Sequence, residues 1–233
     1  MDKQFNFDEL HAIVATLRSE HGCPWDKAHT HESLKSTTLE EAYEVNQAVT
    51  DFTKTNDPSN LKEELGDLLL QVLFHSQIAE ENAEFTLEDV IDGVARKMIR
   101  RHPHVFGRKT YASLEEQQAD WDAIKEKEHA ESLTPKEELS AIPAAFPALI
   151  RSQKTAKKAA KYGLLSSDDA VICKAMLESV VALQMSAKDP EDKESIESKL
   201  GEALFSITRL AAKYGIHSEI ALTRKVDEFI AEH

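Results

Sequence analysis

Apolar residues recur three and four positions apart along most of the chain, which predicts amphipathic helices rather than strands. Phe7, Leu10, Ile13 or Val14, and Leu17 mark a first helix over about 6–20, with Asn6 or Asp8 as its cap. The segment HGCPWD (21–26) stops it: Gly22 suits a left-handed C-cap and Pro24 prevents continuation. Leu39, Ala42, Val45, Val49 and Phe52 form an apolar stripe on a second helix, about 33–53. Leu61, Leu65, Leu68 and Val72 do the same on a third, about 60–81, capped by Ser59 or Asn60. Thr86 and Asp89 form a capping box for a fourth helix, which ends near Arg101 ahead of Pro103. A charged helix over 113–128 follows, then a Pro-containing irregular connector over 129–150. Helices over about 151–161, 168–187, 192–214 and 217–231 complete the chain, with Gly163 breaking the first of them. With only seven glycines and few alternating β-branched runs, the expected fold is all-α.

The second and third helices carry candidate chemistry. Glu41 and Glu44 share a helix face, as do Glu64 and Asp67. If the helices run antiparallel, four carboxylates converge. Two carboxylates about 4 Å apart repel by about 4 kcal/mol at an effective dielectric near 20, so such a cluster calls for a cation. Oxygen donors without Cys or His favour Mg²⁺, with Mn²⁺ as the alternative. In a chain with 42 acids, about one acid-acid-x-x-acid pattern arises by chance. Glu80, Glu81 and Glu84 supply such a decoy, in a polar stretch that reads as a solvated helix end. Glu41, Glu64 and Asp67 differ from it in flanking an apolar stripe.

The net charge of −14 argues against a nonspecific polyanion binder, so no polymeric nucleic acid is expected as a partner. The N-terminus lacks a signal-like apolar region and no apolar run reaches membrane-spanning length. Cys23 and Cys173 fit no metal spacing, and free thiols suit a reduced, cytoplasmic setting. Positive charge gathers at the end of the fourth helix, where Lys97 and Arg101 share a face; they either complement the helix dipole or bind phosphate. Trp121 and Lys125, four apart, read as a solvated face with one anchor or as a stacking group beside a cation. Trp25 is equally readable as a core anchor or a ligand stacker. His102 and His104 lack a third partner for a metal.

The second half echoes the first. SKLGEALFSI (198–207) parallels EELGDLLLQV (63–72), and TRKVDEF (223–229) parallels ARKMIRR (95–101). In this register Lys199 stands for Glu64, Glu202 for Asp67, Glu178 for Glu41 and Val181 for Glu44. The second copy has no counterpart of Trp121 and Lys125, so it is expected to pack and support without binding metal.

HGCPWD (21–26), LEEAYE (39–44), EELGDLL (63–69) and RRHPHVFG (100–107) together resemble the MazG-type nucleoside triphosphate pyrophosphohydrolases of the two-domain bacterial kind. The resemblance is dense over 7–128 and looser over 142–233. It implies all-α, duplicated helical-bundle units completed by dimerisation: a catalytic domain over 1–130, a linker over 131–150 and a degenerate second domain over 151–233. It further implies Mg²⁺-dependent conversion of an NTP or dNTP to the monophosphate and pyrophosphate. The family signature falls on Glu40, Glu41, Glu44, Glu64 and Asp67. Glu41, Glu44, Glu64 and Asp67 are then the metal ligands, and Glu40 and Glu41 the catalytic candidates, Glu40 as base or outer-shell ligand. Lys97, Arg101 and Lys125 are the phosphate-binding candidates, with Trp121 to stack on the base or close the pocket. In some two-domain relatives the second copy matters for catalysis; its degraded acids here place any activity on the first.

Two other classes fit parts of the pattern. One is a non-catalytic dimeric regulator of the same fold, against which the intact acidic signature argues. The other is a di-iron bundle, which usually needs two Glu-x-x-His pairs where this chain has only Glu126 with His129.

Overall fold

A computed structural model describes residues 3–128 and 134–233, the side chain of Glu126 excepted. His129 lies outside the described residues. Among those described, twelve α-helices and no strands are found, and the chain divides into two compact units, Met1–Lys125 and Glu126–His233.

The first unit opens with α1 (Phe7–Arg18), capped by a reciprocal Asn6–Glu9 box. HGCPWD ends that helix by a different device from a left-handed glycine. Ser19 is the extended C-cap, and the Cys23 amide turns back onto the Leu17 carbonyl at 2.7 Å. Gly22 is needed for space: a Cβ there would sit 2.3 Å from the carbonyl oxygens of Thr16 and Leu17. Pro24 then starts a short helix, α2 (Pro24–Ala28). Trp25 is 72% exposed, which rules out a core anchor. Its ring meets His29 edge-on, and His29 meets Phe74 edge-on.

α3 (Lys35–Thr55) and α4 (Ser59–Glu81) form the long pair of this unit. Asn56, in the left-handed conformation, caps α3. Ser59 is the first residue of α4 rather than its cap; its amide donates to Asp57 Oδ1 at 3.0 Å. The core joins Val14, Leu34, Leu73, Phe74, Ile78 and Leu87, with Leu10, Leu69 and Leu70 against it.

The helix pair covers the stripes expected from periodicity only in part: Val45, Phe52, Leu61 and Leu68 are covered. Leu39, Val49, Leu65 and Val72 are all exposed, as is Tyr43. One covered row runs through Leu34, just before α3, then Thr38, Glu41, Val45, Ala48 and Phe52, and another through Leu61, Glu64, Asp67, Gln71, Phe74 and Ile78 of α4, beside the equally covered Leu68, Leu69, Leu70 and Leu73. These repeat at three and four just as the apolar stripes do. The three acids thus lie in the covered face itself, alongside Val45, Phe52, Leu61 and Leu68 of the expected stripes, while Leu39, Val49, Leu65 and Val72 are left outward.

Glu81 is no idle solvated acid. Arg18, 5% exposed, donates from Nε and Nη2 to its two oxygens at 3.0 and 2.8 Å. Arg18 Nη1 reaches the carbonyls of Asp26 and His29 at 2.6 and 3.2 Å. One guanidinium therefore fastens α1, the HGCPWD segment and α4, and it holds the Glu81 carboxyl below its ordinary range.

A second clasp joins the segment before α3 to α4. His31 Nδ1 faces His75 Nδ1 at 2.8 Å, with the rings 7° from parallel. The Thr38 hydroxyl donates to the Leu34 carbonyl, so its oxygen accepts from His75 Nε2. His75 Nδ1 must then accept, and His31 Nδ1–H donates. Glu84 stands 3.6 Å from His31 Nε2. Burial, then the neighbouring His31, lowers the His75 pKa below its ordinary 6.5.

α5 (Leu87–Arg101) opens with the Thr86–Asp89 capping box. A turn, α6 (Pro103–Phe106), and α7 (Leu114–Glu128) follow. The second unit begins with α8 (Pro135–Ser140), a capped turn of helix inside the stretch expected to be irregular, packed on α9 (Ala148–Lys161). Pro135 sits at the N-terminal position where a missing N–H costs nothing, so the proline that signalled a connector starts a helix. Gly163, at φ +68°, ends α9. α10 (Asp169–Ser186) and α11 (Lys193–Lys213) form the long pair of this unit, and α12 (Ser218–Glu232) closes it.

Replacing Arg18 with Ala is expected to destabilise the first unit by about 3 kcal/mol, because a part-buried carboxylate and two carbonyls lose their donor. Urea unfolding measures this, and Lys at position 18 should not restore it. The clasp has its own pH signature. Because folded His75 titrates below 6.5, the unfolded chain takes up the proton first. Its contribution is complete above pH 6.5, falls as pH drops below that value, and levels off once folded His75 is protonated. The difference in unfolding free energy between pH 7.5 and 5.5 should shrink in a His75→Phe variant, and an NMR titration should place the His75 midpoint below 6.5.

Candidate active site

The α3–α4 seam brings three carboxylates together. Glu41, Glu64 and Asp67 each offer one oxygen within 4.8 Å of the others, and no other group of three metal-ligand side chains gathers so closely among the described residues. The cause is local. Glu41 follows the covered positions Leu34 and Thr38 on α3, and Glu64 and Asp67 follow Leu61 on α4, so helical periodicity turns them inward. Each is half-buried. Burial, then the charges of Asp67, Glu44 and Glu64, raises the Glu41 pKa above its ordinary 4.5. Burial and the charges of Glu44, Asp67 and Glu63 do the same for Glu64.

Glu44 is exposed at the rim, where its charge acts on both Glu41 and Glu64. Glu40 is exposed on the neighbouring face of α3. The decoy acids go elsewhere: Glu81 to Arg18, and Glu84 toward His31.

The donor set fits a hard divalent ion. An octahedral Mg²⁺ spaces opposite oxygens about 4.2 Å apart, close to the spread of this trio. One turn beyond Asp67, Gln71 is 5% exposed and its Oε1 is buried with no hydrogen-bond partner, a further oxygen on the same helix face.

A second cluster gathers the cationic candidates. The Arg101 guanidinium and the Lys125 ammonium each lie 5.3 Å from the centre of the Trp121 ring. Lys97 is half-buried one turn before Arg101 on α5. Indole and cations at such spacing present one flat apolar surface beside positive charge, which suits a base and its phosphates. His102 and His104 serve locally: His102 Nδ1 bonds the Met98 carbonyl at 2.7 Å, and His104 meets the Tyr111 ring edge.

Periodicity gave no sign of the residues that hold α7. Asp120 accepts from Lys109 Nζ and Tyr111 Oη, each at 2.5 Å. Both donors come from an irregular loop, where no spacing rule links them to a helix.

In the second unit, Glu178 and Glu202 line one hollow between α10 and α11 with Ser179, Ala182 and Ser206. Lys199, in the register of Glu64, holds both oxygens of Glu202 at 2.9 and 3.1 Å. Lys174 stands 3.8 Å from Glu178. Each remaining acid there has a cation of its own.

Comparison with known proteins agrees with the sequence motifs. The family model of the MazG nucleotide pyrophosphohydrolase domain matches residues 29–106, which include the carboxylate trio and Arg101. A Thermotoga maritima protein named nucleoside triphosphate pyrophosphohydrolase/pyrophosphatase MazG is 38% identical over 96% of this chain and 82% of its own length. The Escherichia coli K12 nucleoside triphosphate pyrophosphohydrolase is 35% identical over 95% of this chain and 83% of its own length. YabN of Bacillus subtilis, named as uncharacterised, is 37% identical over 96% of this chain but only 44% of its own length. With a carboxylate seam on the matched helices and likeness along nearly its whole length, the chain belongs to the MazG family of nucleotide pyrophosphohydrolases.

Proposed function

We propose that this chain is a Mg²⁺-dependent nucleoside triphosphate pyrophosphohydrolase, releasing pyrophosphate from NTPs or dNTPs in nucleotide-pool house-cleaning. The observation that carries this reading is the convergence of Glu41, Glu64 and Asp67 oxygens within 4.8 Å. Glu41, Glu44, Glu64 and Asp67 would hold the ion, with Mn²⁺ as an alternative occupant. When bound, it supplies positive charge to the phosphate oxygens and acidifies the attacking water. The chain's own residues supply the positioning that phosphoryl chemistry needs. Glu40, beside the cluster and open to solvent, serves as general base or orients the water. Lys97, Arg101 and Lys125 hold the phosphates, and Trp121 covers the base.

The second unit acts as a degenerate copy that supports the fold. The Lys199–Glu202 pair supports this, since it neutralises the register positions of the first unit's acids. The protein works as a homodimer. The outward apolar residues Leu39, Tyr43, Leu65 and Val72, with Ile91, Val94 and Ile99 on α5, supply the apolar area that a partner would cover. No helix among the described residues is long and apolar enough to cross a membrane, and the free Cys23 and Cys173 suit action in a reducing cytoplasm.

Pyrophosphate release from a panel of NTPs and dNTPs with Mg²⁺ tests the reading. Glu64→Gln is expected to lower the rate by more than about 100-fold. Equal release by both proteins would remove the proposal. Metal binding has a separate readout. Above their raised pKa values Glu41 and Glu64 lose protons that the folded state favours, so without a divalent ion stability falls as pH rises through and above 4.5. Mg²⁺ at about 100 times its dissociation constant should add about 2.7 kcal/mol near pH 7.5. That gain should shrink toward pH 4.5 and vanish in a Glu41→Gln, Asp67→Asn double variant, as followed by thermal unfolding.

A further inference from the structure

Between α5 and α7 lies a polar knot that takes no part in the chemistry above. Asp120 keeps only 20% of its side chain exposed, and both of its oxygens accept hydrogen bonds. Lys109 Nζ meets Oδ1 and the Tyr111 hydroxyl meets Oδ2, each at 2.5 Å. The Lys109 ammonium also lies 5.5 Å from the Tyr111 ring centre, and His104 meets that ring at 62°. Gln117, one turn before Asp120, brings its amide nitrogen to 3.3 Å from His104 Nε2. Gln117 and Asp120 therefore turn one face of α7 toward residues 104–111. Trp121 and Lys125, about 100° around the helix, turn another toward Arg101.

On one face, the Arg101 and Lys125 cations lie against the Trp121 indole. On the other, the Asp120 carboxylate accepts charge-assisted hydrogen bonds from Lys109 and Tyr111. Asp120 and Trp121 are consecutive residues of one helix, so whatever sets the roll of the first sets that of the second.

We propose that Asp120 is a positioning residue of the nucleotide grip. By clamping Lys109 and Tyr111 it fixes the roll of α7 about its axis and keeps Trp121 at Arg101. It governs nucleotide affinity and leaves the hydrolytic step at the carboxylate seam alone. This rests on reading Arg101, Trp121 and Lys125 as the substrate grip.

The chain has two tryptophans, so a Trp25→Phe background leaves Trp121 as the sole indole reporter. Its fluorescence is titrated with the α,β-methylene form of the best NTP from the substrate panel, which resists cleavage at the reacting bond, in Mg²⁺. Asp120→Asn is expected to raise the Kd and the KM about tenfold or more, with kcat within about threefold. Asp120→Glu, which keeps the carboxylate, should recover most of the loss. The Tyr111 phenol, pushed up to about 12 by its hydrogen bond to Asp120 and by burial, should titrate nearer 10.0 in Asp120→Asn, read as the absorbance difference from a Tyr111→Phe protein. If Asp120→Asn misfolds, Tyr111→Phe keeps the Lys109 pair and should raise the Kd by a smaller factor. Unchanged Kd and KM in folded variants, or a fall in kcat at constant KM, overturns the inference. Absence of any Trp121 response in the Trp25→Phe protein removes the grip and this inference with it. Pyrophosphate release by the unaltered chain reports separately on the carboxylate site.

Discussion

The first unit is built around a conflict: packing α3 against α4 forces negative side chains into one seam. A carboxylate pair at about 4 Å opposes the packing by about 4 kcal/mol in a partly screened setting. Burying a large aliphatic side chain gains about 1.5–3 kcal/mol. Val14, Leu34 and Leu73, all nearly or fully covered, offset that repulsion, Leu34 and Leu73 lying about two helical turns from Glu41 and Asp67. The acids stay half-buried, and Glu41 and Glu64 hold their protons more tightly than free carboxyls. Apolar packing therefore holds together carboxylates that would otherwise separate.

That arrangement needs the core to be rigid. Arg18 supplies a cross-brace through four polar contacts to Glu81, Asp26 and His29. The His31–His75 clasp anchors the start of α3, reaching at Thr38 to within three residues of Glu41. α5 meets this frame more lightly, through α4. The order of α7 comes from side chains, with Asp120 on one face and Trp121 on the next.

Helical periodicity was a good guide to what forms and a poor guide to what is covered. Element positions followed from spacing and caps, as with Asn6 and Thr86, because those signals are local. The carboxylate pairs were legible for the same reason. Which face of α3 is buried was not: Leu39 and Val49 outrank Thr38 and Glu41 in hydrophobicity, yet they lie outside in the single chain. Long-range partners were equally hidden. Nothing near Glu81 in sequence announces Arg18, 63 residues away. Gly22 was recognised as special for the wrong property, since its role is close approach rather than a left-handed φ.

The Lys199–Glu202 pair has a consequence for how the two halves of the chain age in a changing medium. A helix pair that carries its own counterion keeps its balance whatever the supply of dissolved ions. One that gathers bare carboxylates borrows that balance from solution. With the proposed divalent ion on the seam, a chelator should loosen the amino-terminal half, as amide exchange along α3 and α4 would register, while α10 and α11 exchange as before.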